Sequence, residues 1–137
     1  MKPRPTTYKG IRMRSRLEAS FAASLVDLTT WEYEPVCFAD ETGQYLPDFR
    51  VWWGSEDYSY VEIKPTMAQV KPAAERMEII FASEPDASLN VTIPTGTWPN
   101  VDFISAAWRQ GVRGEWKGPA FTRPSDAARA LLKARRP

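Results

Sequence analysis

Taken as a pattern of apolar and polar positions, the chain opens Pro-rich and basic over residues 1–13, which reads as an extended arm. A helical period then begins near Arg14. Leu17, Phe21, Leu25 and Leu28 fall on one stripe, and Ser15 with Glu18 three residues later forms a capping-box arrangement. Residues 31–39 read as a strand, with Pro35 implying an edge position or a bulge, and Asp40-Glu41-Thr42-Gly43 as a turn. Two aromatic and β-branched stretches come next, residues 45–53 and 58–64, joined by Gly54-Ser55-Glu56-Asp57. Pro65 ends the third strand because it has no N–H for the ladder.

A second helix is expected over residues 70–83. Pro72 is tolerated in its first turn, and Val70, Ala73, Met77, Ile80 and Phe81 form its apolar face. Residues 89–94 then make a fourth strand, reached through a helical crossover. The order α-β-β-β-α-β is an α/β fold with a mixed central sheet flanked by helices. Residues 100–108 read either as a short helix capped by Asn100 or as a strand around Val101-Asp102-Phe103. Residues 125–136 read as a helix capped by Ser125. A single domain over 1–137 is expected, with its core at about 8–94 and an extension at about 95–137.

Alternation along a strand puts Tyr60, Glu62 and Lys64 on one face, and Val61 and Ile63 on the other, toward the core. On the preceding strand Leu46, Asp48 and Arg50 share one face, and Pro47, Phe49 and Val51 the other. An acid on one strand thus neighbours an acid and a lysine on the next. Both acids sit in apolar sequence, where an unpaired carboxylate is costly and a bound cation would relieve the cost.

Composition narrows the chemistry. The chain has no histidine, which removes histidine-based nucleophilic and general-base catalysis, and Cys37 alone can form neither an intrachain disulfide nor a cysteine-based zinc site. Any enzyme here works with carboxylates, Lys, Tyr, Ser or a metal held by oxygen, which favours Mg²⁺ or Mn²⁺. Net charge is only +1, but it is unevenly placed. Residues 1–16 carry six basic side chains and no acid, whereas residues 17–108 hold 15 of the 17 acids. This suits a polyanion-binding rim around a metal-binding middle, or equally two solvated tails. No apolar run reaches membrane-helix length, and the start M-K-P-R-P-T-T lacks the apolar stretch of a signal peptide; a cytoplasmic protein with no membrane partner is the expectation.

Glu18 upstream on a helix, Pro47-Asp48 on one strand and Glu62-Ile63-Lys64 on the next, in the order α-β-β-β-α-β, resemble the PD-(D/E)XK nuclease superfamily over about residues 8–94. The segment Y-K-G-I-R-M-R-S-R-L-E is similar to the start of small phage-encoded, TnsA-like and resolvase-like members. The resemblance implies a restriction-endonuclease-like core and Mg²⁺-dependent hydrolysis of phosphodiester bonds in DNA, with Mn²⁺ able to substitute. It implies a phage or mobile-element setting, hence a bacterial host cytoplasm, and a structure-specific substrate in the absence of an evident base-reading module. By the same resemblance, Asp48, Glu62 and the Ile63 carbonyl bind the metal, Lys64 orients or deprotonates the attacking water, and Glu18 assists through water. A homodimer or a larger DNA-processing complex is the implied assembly. The competing function is a nuclease-fold DNA-binding or protein-interaction module that no longer cuts.

Each residue also has a plainer reading. Glu62 and Lys64 can be a surface pair on a solvated sheet face, and Glu18 a capping side chain, although small Ser15, Ala19 and Ala22 beside it leave room for a ligand or a metal-bound water. The candidate DNA contacts are Arg12, Arg14, Arg50, Lys71, Arg135 and Arg136, although Gln69, Lys71 and Glu75 at the start of the second helix read more readily as solubilising positions than as site residues. Tyr60 reads as packing, as do Trp31, Trp52, Trp53 and Trp108, with Trp98 and Trp116 as base-stacking candidates. Cys37 reads as a small buried residue.

Overall fold

The structure, a computed structural model, describes residues 4–25, 29–53, 57–96 and 101–110. Near the start, β1 (Thr6–Tyr8) and β2 (Ile11–Met13) form a hairpin whose two-residue loop, Lys9-Gly10, has positive φ at both positions, 48° and 79°. Such a loop matches the twist of the strands it joins. The extended arm expected over residues 1–13 is therefore a hairpin in its second half, and Tyr8 stacks on Trp31 with ring centroids 6.2 Å apart. The first helix, α1 (Arg16–Ser24), starts where Ser15 predicts, with the Ser15 hydroxyl accepting from the Glu18 N–H. Phe21 and Leu25 are buried and Leu17 is half-buried; Leu28 lies outside the described residues.

The strand expected over residues 31–39 is two strands in different sheets. β3 (Thr30–Tyr33) stops at Glu34, whose φ of 45° turns the chain before Pro35. β4 (Phe38–Asp40) then pairs with β5 (Gly43–Tyr45) in a small separate hairpin, its turn held by the Asp40 carboxylate accepting from the Thr42 N–H and hydroxyl. Tyr45 thus belongs to this hairpin, and the next strand of the main sheet is only β6 (Phe49–Trp52). The turn at Gly54-Ser55-Glu56 lies outside the described residues.

β7 (Tyr58–Ile63) pairs antiparallel with β6 and parallel with β8 (Ser88–Thr95). The parallel step runs through a 3₁₀ turn (Met67–Gln69), α2 (Val70–Met77) and α3 (Ile80–Ser83). The single helix expected over residues 70–83 is broken between Met77 and Ile80, where tighter three-residue bonds (Glu78 N–H to Glu75 O, Phe81 N–H to Glu78 O) replace the α pattern. Its apolar face is buried as expected: Val70, Ala73, Met77, Ile80 and Phe81 all lie in the core. Of the two readings for residues 100–108 the strand holds, as β9 (Asp102–Trp108), antiparallel to β8. The helix expected over residues 125–136, with Asn100, Trp98 and Trp116, lies outside the described residues.

The five-stranded mixed sheet has the order β3-β6-β7-β8-β9 and is covered on both faces. One core packs α1 and the first hairpin against Phe49, Val51, Val61, Ile63 and Phe103. The other packs α2 and α3 against Tyr60, Leu89, Val91 and Ile93, with Phe38 and Tyr45 of the small hairpin. Double coverage explains why β7 is buried almost throughout, its polar Ser59 and Glu62 included. Among the described residues no helix is long and apolar enough to cross a membrane.

Phe49 has no exposed surface and meets the rings of Phe21, Trp31 and Tyr33 at centroid distances of 5.1, 5.7 and 5.3 Å. Phe49→Ala is expected to cost about 3–5 kcal/mol in urea denaturation. Met67→Ala, at a position 53% exposed, should stay within about 0.5 kcal/mol of wild type.

Candidate active site

The β6–β7 register builds the site. Phe49 pairs with Val61, so one residue before β6 and one later on β7 the same register sets Asp48 beside Glu62. Asp48 immediately precedes β6, at the end of the sheet, within reach of both β7 and α1. Its Oδ2 accepts the Ile63 N–H at 2.7 Å. Ile63 thus serves the acid through its amide, a role separate from the metal-ligand carbonyl expected of it. Glu18, one turn into α1, reaches the same point, close enough for its charge to raise the Asp48 carboxyl. Asp48, Glu62 and Glu18 are 6%, 7% and 6% exposed. Lys64, just past β7, is held by its N–H to the Thr92 carbonyl at 2.9 Å, and its ammonium lies 3.5 Å from Glu62 Oε1. All four side chains expected at the site are thus brought together. Burial rules out the solvated surface pair as an account of Glu62.

Each carboxylate has hydroxyl or amide donors of its own. Glu18 Oε2 accepts from the Ser15 hydroxyl at 2.9 Å and Oε1 from the Tyr33 hydroxyl at 3.3 Å, so Glu18 braces the Ser15 cap of α1 and also faces Asp48. The Tyr33 oxygen accepts in turn from the Arg14 N–H at 2.9 Å. Glu62 Oε2 accepts from the Tyr45 hydroxyl at 2.5 Å, and the Arg76 guanidinium lies 5.7 Å from the Tyr45 ring centre. Tyr33, Tyr45 and Arg76 are not legible as site residues in the sequence. They arrive by tertiary contact from β3, the separate hairpin and α2, with no spacing rule linking them to the acids.

Burial pushes the Asp48 carboxyl well above the usual carboxylate range, and the neighbouring Glu62 and Glu18 push it further, against the pull of the Ile63 amide. Burial raises Glu62 as well, opposed by the Tyr45 hydroxyl, Lys64 and Arg76. Both carboxyls therefore keep a proton to higher pH than exposed carboxylates do. Tyr33 is raised to about 12, chiefly by burial, so it stays a protonated donor.

Among the described residues no group of three or more Asp, Glu, His or Cys side chains is arranged to hold a metal ion by itself. The donor set nonetheless suits a hard cation: two buried carboxylates repel each other at the end of the sheet, and no thiol or imidazole competes among the described residues around them. An ion that keeps several waters and takes only one or two protein carboxylates, as Mg²⁺ does, matches that set. Asp48 and Glu62 would hold it, with Glu18 acting through water.

The predicted DNA contacts separate into groups. Arg12 on β2 and Lys71 on α2 are exposed. Arg14 donates to Glu34, with one bond at 2.9 Å, and Arg50 to Glu32, with one at 2.8 Å. Arg50 also lies over the rings of Trp52, Tyr58 and Tyr60, at 5.2, 5.5 and 5.9 Å from their centres. It braces the β3-β6-β7 face rather than the acid cluster. Arg135 and Arg136 lie outside the described residues. Gln69 accepts from the Thr66 hydroxyl, a local role at the 3₁₀ turn, and Glu75 is exposed. Tyr60 is fully buried, as its packing role requires; Trp53 is buried, while Trp31 and Trp52 are half-buried. Cys37, expected to be buried, is exposed, because the chain leaves the sheet at Glu34.

Comparison with protein-family models, curated proteins and solved structures finds no match, so the chemistry of these carboxylates is argued from their own geometry. That geometry makes Asp48 a destabilising group in the metal-free protein. A carboxyl whose folded pKa is raised leaves stability intact below its unfolded pKa near 4 and withdraws it as pH rises through the folded value. Asp48→Asn can still accept from the Ile63 amide without adding charge. It should therefore unfold at a higher temperature than wild type at pH 7, by about 2 kcal/mol in chemical denaturation, and the gain should vanish near pH 4.

Proposed function

We propose that the chain is a Mg²⁺-dependent endonuclease that hydrolyses phosphodiester bonds in DNA, built on a restriction-endonuclease-like core. The observation that carries this reading is the convergence of Glu18, Asp48, Glu62 and Lys64 at one end of a doubly covered sheet. Three of them are buried acids whose mutual repulsion serves no structural purpose. The element order from α1 through β3, β6, β7 and the α2–α3 crossover to β8 supports the fold assignment, with the two hairpins as additions.

In hydrolysis a water oxygen bonds to phosphorus, the phosphorus–oxygen bond to one sugar breaks, and that sugar oxygen takes a proton. A bound Mg²⁺ supplies charge to offset the crowded phosphoryl oxygens and lowers the pKa of water. The chain's own residues do the rest. Asp48, fixed by the Ile63 amide, and Glu62, fixed by Tyr45, present oxygen ligands from rigid strand positions. The Lys64 side chain, one-quarter exposed, has its ammonium placed to hydrogen-bond the attacking water and the phosphate. Glu18, oriented by two hydroxyls, is placed to accept a proton from water. DNA as the partner rests on exposed Arg12 and Lys71 and on the basic ends of the sequence.

Plasmid nicking in Mg²⁺ or Mn²⁺, against EDTA, tests the reading. Wild type should cut only with metal. Asp48→Ala, Glu62→Ala and Lys64→Ala should each lower the rate at least about 100-fold, with the acids, but not the lysine, also needed for Mn²⁺ binding. Glu18→Gln should slow cutting while keeping DNA affinity; equal rates would leave Glu18 only its capping role. A folded wild type that binds DNA in Ca²⁺ yet cuts no substrate would favour the non-cutting module.

Arg12→Gln with Lys71→Gln should weaken DNA binding regardless of sequence. The log–log salt slope should flatten by roughly 0.9 for each duplex phosphate that the variant no longer neutralises. Parallel slopes would place the DNA path elsewhere.

A further inference from the structure

The small β4–β5 hairpin lies outside the main sheet, yet its last residue reaches the site. Tyr45 is 4% exposed, and its hydroxyl is bonded to Glu62 Oε2. The other oxygen, Oε1, faces the Lys64 ammonium at 3.5 Å. The two oxygens of Glu62 are thereby made unequal: one is held by a neutral donor from the hairpin, and one is left on the open, lysine side. Behind Tyr45, the Arg76 guanidinium lies over the ring and supplies positive charge toward Glu62. A groove of about 430 Å³ separates the hairpin residues Asp40, Thr42 and Gln44 from Glu75 and Arg76 of α2. Tyr45 lines that groove, and its hydroxyl ties the hairpin to the acid.

Resting on the metal-centre reading above, we infer that Tyr45, braced by Arg76, is a positioning residue that turns Glu62 so that Oε1 alone is offered to a divalent cation. Groups that orient a carboxylate ligand from outside the coordination sphere typically set metal affinity by 10- to 100-fold. Tyr45 is suited to the task because its ring is packed in the core beside Phe38 and Tyr60, leaving the hydroxyl little freedom. Tyr58 offers an internal control. Its hydroxyl makes a bond of the same kind and length to Glu84, away from the acid cluster.

The test is Mn²⁺ titration of the full chain by calorimetry, with thermal melts of the metal-free proteins alongside. Tyr45→Phe should bind Mn²⁺ about tenfold more weakly than wild type, and Tyr58→Phe as wild type does, whatever either does to the melting temperature. Arg76→Met, at an exposed position, should weaken binding about threefold and serves if Tyr45→Phe does not fold. A Tyr45→Phe protein that is folded and binds Mn²⁺ within twofold of wild type, or more tightly, overturns the positioning role while leaving the metal centre standing. A wild type that binds no Mn²⁺ at millimolar concentration overturns the metal centre, and the positioning role with it.

Discussion

The β6–β7 register is the constraint on which the rest of the structure depends. Pairing Phe49 with Val61 sends Phe49, Val51, Val61 and Ile63 toward α1 and turns Tyr60 toward α2 and α3. A slip of one residue would exchange the two sets of side chains between cores of different shape. The same slip would take Asp48 from beside Glu62 and remove the Ile63 amide from its carboxylate. Core packing and acid placement are therefore one choice made by the chain.

That choice creates an electrostatic conflict and places it where it can be used. Asp48 and Glu62 are forced together out of water, and the surrounding structure answers with neutral donors rather than a full complement of cations. Ser15 and Tyr33 serve Glu18, the Ile63 amide serves Asp48, and Tyr45 serves Glu62. These bonds hold orientation without cancelling the negative charge. Among the described residues, that leaves Lys64 as the cationic side chain in direct ion-pair contact with the trio. Two arginines near the sheet are engaged in scaffolding: Arg14 ties the start of α1 to Glu34, and Arg50 ties β3 to the aromatic face of β6 and β7.

The sheet's central strands and the acids upon them are legible in the sequence because period-2 alternation is a local property. Glu62, Lys64 and the apolar partners of each can be read directly from residue type. The helix stripe from Val70 to Phe81 is legible for the same reason, although its break is not, since the turn at Glu78–Ile79 carries no glycine or proline. Pro35 signals an interruption, but nothing local to it says that the chain leaves the sheet and forms a second hairpin before returning. That excursion decides the exposure of Cys37 and delivers Tyr45. Contacts made across more than a dozen residues by a lone tyrosine leave no periodic trace, so the donors around the acids become visible only in three dimensions.

The parallel pairing of β7 with β8 has a consequence for how the molecule comes into being. Antiparallel neighbours joined by short turns can pair as soon as they are made, whereas a parallel pair waits for its crossover, here α2 and α3, to fold and close a long loop. The α2–α3 core, Tyr60 and the backbone anchor of Lys64 on Thr92 all depend on that late closure. The β6–β7 pair can set Asp48 beside Glu62 early, but the burial of the acids is completed only after the non-local sheet and its crossover have formed. Before that stage, each carboxylate remains hydrated and ionises as in an ordinary peptide. The folding chain thus meets the cost of taking those charges out of water last, when the packing of two cores is there to offset it.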